Sequence, residues 1–142
     1  MTLTSDRRAE VLAATPLFAD VDQAEMEMIA SRAIEVAFEG GHVIARQGDI
    51  GTGFFVVVSG AVRIIRDGDE IARLGPGEFF GELSVLDGLP RVAQVVADGP
   101  TICLALASWD FEAVVEAQPK VAIAVMRVLA RRLRERTEGT HH

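Results

Sequence analysis

Glu82 and Arg91 are the two candidate charged contacts in a stretch otherwise built mostly of apolar and turn residues, Phe79-Phe80-Gly81-Glu82-Leu83-Ser84-Val85-Leu86-Asp87-Gly88-Leu89-Pro90-Arg91-Val92-Ala93. Gly81 is suited to open a single helical turn, Gly88 to end it, and Pro90 to stiffen the return. The first N–H groups of a helix have no partner within it and carry the positive end of its dipole, so such a turn offers an anion site. Arg91 returns to the mouth of the turn, and its planar paired donors match two oxygens of a phosphate. Glu82 would repel a bare anion. A carboxylate there is useful only for a ligand that also brings hydroxyl donors.

The surrounding sequence must hold this segment. It reads as helices, then short strands, then helices. Ser5 is expected to cap a helix through Leu12, ended at Thr15-Pro16, because the residue before proline disfavours helix. Asp22 and Glu25 form a capping box for a second helix, whose apolar positions Met26, Ile29, Ala30 and Ala33 give it one buried face.

From Ala33 the period changes to short Val/Ile/Phe runs closed by glycine: Ile34–Phe38, Val43–Arg46, Phe54–Val58 and Val62–Arg66. Asp67-Gly68 then signals a tight hairpin into Glu70–Leu74, and Val92–Ala97 and Thr101–Ala107 follow. In the last run Ile102, Leu104 and Leu106 alternate with Cys103, Ala105 and Ala107, which marks two unlike faces. About eight short strands at this spacing predict a mainly β fold, a small antiparallel barrel or jelly roll with flanking helices.

Ser108 is expected to cap a helix, and Pro119 to begin a longer one reaching about Glu138. On it Val121, Val125 and Val128 form one stripe, while Ala122, Met126, Leu129 and Leu133 form a second with coiled-coil spacing. One stripe can face the strands and the other a second subunit, so a homodimer is expected. The expected domain is a single one over 1–139: helices to 32, strands over 33–107 interrupted by segment 79–93, and helices over 108–139. Residues 140–142 read as linker and tag remnant.

A phosphate next to a free hydroxyl, held inside a small β fold, describes a nucleotide. Phe80-Gly81-Glu82-Leu83-Ser84 followed by Pro90-Arg91-Val92-Ala93 resembles the phosphate-binding cassette of the cyclic-nucleotide-binding domain family. Members include catabolite activator proteins, protein kinase A regulatory subunits and cyclic-nucleotide-gated channels. The likeness covers nearly the whole chain, including Gly48, Gly60, Gly75 and Gly77.

The resemblance implies that Glu82 holds the ribose 2′-hydroxyl, that Arg91 neutralises the cyclic phosphate, and that the Leu83 and Ser84 amides complete the cradle. Phe80, Gly81, Val92 and Ala93 belong to the same implied site. Val92 stands where cGMP-preferring eukaryotic members carry threonine, which leans towards cAMP. Gln94 replaces a frequent threonine, and no role is assigned to it.

In catabolite activator proteins an Ala-Arg-Arg-Leu stretch precedes polar residues that reach the purine. Here Ala130-Arg131-Arg132-Leu133 precedes Arg136 and Thr137, which would either meet the base or form a solvated helix end. Val85 and Leu86 take the family's hinge-contact position, against the helix bearing Phe111 and Val115. They can serve as plain core, as a relay to the C-terminal helices, or as both.

Composition narrows the alternatives. With 142 residues, 49% hydrophobic and 25% charged, the chain can bury a core without disulfide or metal. Its one cysteine, Cys103, excludes a disulfide framework, and the net charge of −7 argues against a nucleic-acid surface despite the arginines between 127 and 136. No run spans a bilayer and the N-terminus has no signal-peptide pattern, so a cytoplasmic location is expected. One lysine against thirteen arginines suggests a GC-rich bacterial source.

A metal enzyme on a similar barrel needs several histidine or carboxylate ligands, whereas His42 is the one histidine outside the tail. No nucleophilic constellation stands out, so neither catalysis nor a cofactor is expected. Two non-sensor readings are weaker: a ligand-free buried ion pair of Glu82 and Arg91 would leave the helix N–H groups unsatisfied, and the intact Glu82 and Arg91 speak against a degenerate module kept for dimerisation.

Overall fold

The computed structural model describes residues 3–49, 53–81 and 91–139, without the side chains of 136–139. Two helices, α1 (Ser5–Ala13) and α2 (Gln23–Arg32), precede eight strands. These are β1 (Ile34–Phe38), β2 (Val43–Ala45), β3 (Gly53–Ser59), β4 (Val62–Arg66), β5 (Asp69–Leu74), β6 (Phe79–Phe80), β7 (Gln94–Ala97) and β8 (Thr101–Ala107). Helices α3 (Ser108–Ala117) and α4 (Pro119–Gly139) follow.

At α2 the Asp22 half of the expected capping box is present, with the Glu25 N–H donating to Asp22 Oδ1 at 2.9 Å. The cap of α1 is one residue earlier than Ser5: Thr4 accepts from the Arg7 N–H at 3.2 Å, the geometry of an N-cap hydroxyl reaching the N3 amide. At α3 the boundary residue is Ala107, so Ser108 lies inside the helix and supplies no capping bond.

The strands form a jelly-roll sandwich, not one closed barrel. Their pairings divide them into two four-stranded antiparallel sheets, β1-β8-β3-β6 and β2-β7-β4-β5. The Asp67-Gly68 hairpin is present as a two-residue turn, with φ of 53° and 87°. Positive φ at both positions is what a type I′ turn requires, and its twist matches that of the flanking strands.

Alternation along β3 and β8 builds two cores from the first sheet. Phe54, Val56, Leu104 and Leu106 point to the helices, where Phe18, Ile29, Phe111, Val121 and Val125 cover them. Val57 and Cys103 face the second sheet with Val62, Phe80 and Val95. Phe54 is fully buried and stacks on Phe111 with ring centroids 4.6 Å apart.

On α4, Val121 and Val125 are buried as the first stripe requires. The second stripe is displaced: Leu129 packs against the core, whereas Met126 and Leu133 are exposed beside Ile123. With Val121 and Val125 inward, Leu129 falls eight residues along the same face, so the outward row runs through 123, 126 and 133.

Candidate functional site

Strand β6 is only two residues long, pairing Phe80 with Phe55 and Phe79 with Val56, and it delivers the chain to Gly81. The Phe80 ring is buried and stacks on Phe55 at 5.0 Å, which fixes the exit of the strand. Gly81 has φ +96°, and a Cβ there would lie 2.5 Å from Gly53 O and 3.3 Å from Arg91 Nη1. The guanidinium can approach the backbone this closely because position 81 has no side chain.

Arg91 is held at three points. Its N–H donates to Asp49 O at 2.7 Å, its carbonyl accepts from Gly48 N–H at 2.8 Å, and its Nη2 donates to Gly53 O at 3.2 Å. Burial of the guanidinium pushes its pKa below the ordinary arginine value. Among the described residues no carboxylate is within ion-pairing distance of it. A partly desolvated cation of this kind favours an anion that brings its own charge.

The anion would find room beside it. A cavity of about 480 Å³ opens between Gly81, Arg91, Val92 and Ala93 on one side and Ile64, Ile71, Ala72 and Leu74 of the second sheet on the other, with Arg132 and Glu135 of α4 at its border. That volume and apolar lining with a few charged groups suit a small organic ligand. A second cavity, about 430 Å³, is also lined by Arg91, together with Ile34, Ile44, Phe55 and Ala105. The first is the candidate site because Gly81, Arg91, Ala93 and the C-terminal helix converge there.

Arg132 lies over the Phe79 ring, 5.3 Å from its centroid. Burial lowers its pKa, with Glu135 and Glu78 acting in the opposite direction. The site therefore has one cation from the β6–β7 side and another from α4.

Of the residues expected from sequence, Phe80, Gly81, Arg91, Val92 and Ala93 are brought together at this cavity. Ala93 is buried there, while Val92 is 60% exposed. Val92 and Ala93 precede β7, which begins at Gln94, so the expected strand from Val92 starts two residues late. Glu82, Leu83 and Ser84, and likewise Val85 and Leu86, lie outside the described residues. Arg136 and Thr137 are on α4, one turn beyond Arg132, with their side chains outside the description.

Sequence reasoning missed the apolar wall of Ile64, Ile71 and Leu74, and also Arg132 and Glu135. The wall carries no chemical signature that separates it from ordinary strand residues. Arg132 did have one, as a member of the Ala-Arg-Arg-Leu stretch one turn before Arg136.

Comparison with known proteins gives a consistent result. A family model described as the cyclic nucleotide-binding domain matches residues 35–118. The chain is 40% identical over 126 residues to the cyclic AMP receptor protein of Thermus thermophilus, covering 85% of this chain and 58% of that one. It is 38% identical over 90 residues to the cAMP-dependent protein kinase regulatory subunit of Yarrowia lipolytica, covering 63% of this chain and 24% of the relative.

The crystal structure of the Thermus thermophilus catabolite activator protein superposes with a TM-score of 0.80 at 38% identity, covering 88% of this chain and 61% of that one. The chain thus spans a little over half the length of its bacterial relative and a quarter of the kinase subunit. Among the described residues, no helix is long and apolar enough to cross a membrane.

Proposed function

This chain belongs to the cyclic-nucleotide-binding domain family, and from that premise we propose that it is a non-catalytic regulatory sensor for a cyclic nucleotide, cAMP in preference to cGMP. The observation that carries the reading is Arg91: a half-buried guanidinium, pinned at Gly53, that lines a cavity bordered by the C-terminal helix. Arg91 takes the cyclic phosphate there, with the Leu83 and Ser84 amides beside it and Glu82 on the ribose 2′-hydroxyl. The base extends towards Ile64, Ile71 and α4, where Arg136 and Thr137 are within a helical turn of the cavity border. Val92 offers guanine no hydroxyl, which supports cAMP.

Ligand that touches both the β6–β7 side and α4 binds best when the two are held together, so binding shifts the C-terminal helices towards one arrangement. The exposed row Ile123, Met126 and Leu133 supports a homodimer through α4. In a longer cytoplasmic protein this module acts as the sensor half of a catabolite-activator-type transcription regulator, a role supported by the likeness to the Thermus receptor.

Titration calorimetry with cAMP and cGMP tests the reading. Heat from both, with the tighter binding for cAMP, is expected. Absence of heat and of any thermal shift at millimolar nucleotide would instead support a degenerate dimerisation module. Sedimentation at micromolar concentration should give twice the 15.3 kDa chain mass, and a monomer would remove the dimer from the proposal.

A further inference from the structure

Arg91 is an arginine whose backbone is bracketed by a loop, and that loop is itself fastened from outside. The turn between β2 and β3 supplies both partners of the Arg91 main chain, Gly48 N–H at 2.8 Å and Asp49 O at 2.7 Å. Next to them, the Gln47 side chain reaches the tip of the β4–β5 hairpin. Its Nε2 donates to Asp67 Oδ1 at 2.8 Å, and its Oε1 accepts the Asp67 N–H at 3.0 Å. A primary amide is suited to this two-point contact, since it donates and accepts side by side. Asp67 has φ +53°, a conformation that asparagine and aspartate tolerate better than other side chains, and it presents N–H and carboxylate to the same partner.

We infer that the Gln47–Asp67 pair is a positioning clamp for the ligand-binding guanidinium: it fixes the β2–β3 turn and so the height of Arg91 over the cavity, without touching ligand itself. The inference rests on the nucleotide-binding reading of Arg91. Neither Gln47 nor Asp67 borders the 480 Å³ cavity, while β4 and β5, the strands of the fastened hairpin, contribute Ile64 and Ile71 to its wall. The clamp therefore joins the two sides of the site, apolar wall and phosphate-binding arginine, through one exposed pair. Without it the turn loses its outside anchor, Arg91 samples more positions, and part of the binding free energy is spent on ordering it.

The test compares the native chain with Gln47→Ala, Asp67→Asn, Arg91→Ala and the Gln47→Ala/Arg91→Ala double variant, with cAMP as the probe. Gln47→Ala should weaken cAMP binding about three- to tenfold, the scale of one or two net hydrogen bonds, with little change in melting temperature. Asp67→Asn keeps an acceptor oxygen and should bind like the native chain. In the Arg91→Ala background, Gln47→Ala should add nothing, because the clamp acts through Arg91. Without nucleotide, Gln47→Ala should also speed hydrogen exchange at the Gly48 and Arg91 amides relative to the rest of the sandwich.

Native-like affinity and exchange in Gln47→Ala, with Arg91→Ala still impaired, would overturn the clamp alone. Failure of the native chain to bind any cyclic nucleotide would overturn the reading of the site and the clamp together.

Discussion

Among the described residues the two sheets have four strands each, and they do different work. The sheet β1-β8-β3-β6 is covered on both faces, by helices over Phe54, Val56, Leu104 and Leu106 and by the other sheet over Val57 and Cys103. The sheet β2-β7-β4-β5 ends in β5, an edge strand in which Asp69–Arg73 are all exposed. Several charges on this side are paired at the surface: Arg63 with Glu70, and Arg73 with Glu70 and Asp98. Charged side chains on an edge strand discourage pairing with another chain, and exposed pairs contribute little stability. The first sheet is a scaffold. The second lends an open wall, Ile64, Ile71 and Leu74, to the cavity beside Arg91.

Truncation on the scaffold should do the greatest damage. Phe54 touches Phe18, Phe79 and Phe111, so Phe54→Ala leaves a void among rings that cannot all close in. Chemical denaturation should show a loss of about 3–5 kcal/mol. Ile71 is 53% exposed, and Ile71→Ala should cost stability no more than about 1 kcal/mol while weakening cAMP binding. Equal stability losses at the two positions would erase the distinction between scaffold and wall.

The smallest effect belongs to Cys103, which should be silent at neutral pH. Burial in the inner face of β8 pushes its thiol up to about 12 from an ordinary 9.0. A thiol raised in the folded state favours folding at every pH below 9.0, and that contribution fades as pH climbs from 9.0 towards about 12. A thiol reagent at neutral pH should therefore label the chain only on unfolding. Rapid labelling of the folded protein would mean that the scaffold opens locally.

Much of the element order could be read in the sequence, because it follows from side-chain period and turn chemistry. The alternation over Thr101–Ala107 gave β8 and its two faces, and Asp67-Gly68 gave the hairpin. Strand β6 was missed because two residues cannot show a period; pairing with Phe55 and Val56 makes it a strand. The division into two sheets was also out of reach, since closure depends on which edges meet and local patterns leave that open. At the site, Gly81 and Arg91 were legible as a glycine that permits approach and an arginine that uses it. The clamp from Gln47 to Asp67 was not, because a contact between residues 20 positions apart leaves no mark on either neighbourhood.

The partly desolvated guanidinium at the β6–β7 side of the cavity is proposed to bind the cyclic phosphate. Isothermal titration of cAMP into the native chain and into Arg91→Ala, both verified as folded, addresses it directly. Loss of the charge-assisted contact should weaken binding by about 3–5 kcal/mol. Equal affinity in the two proteins would contradict the assignment of Arg91 and the account of the site built on it.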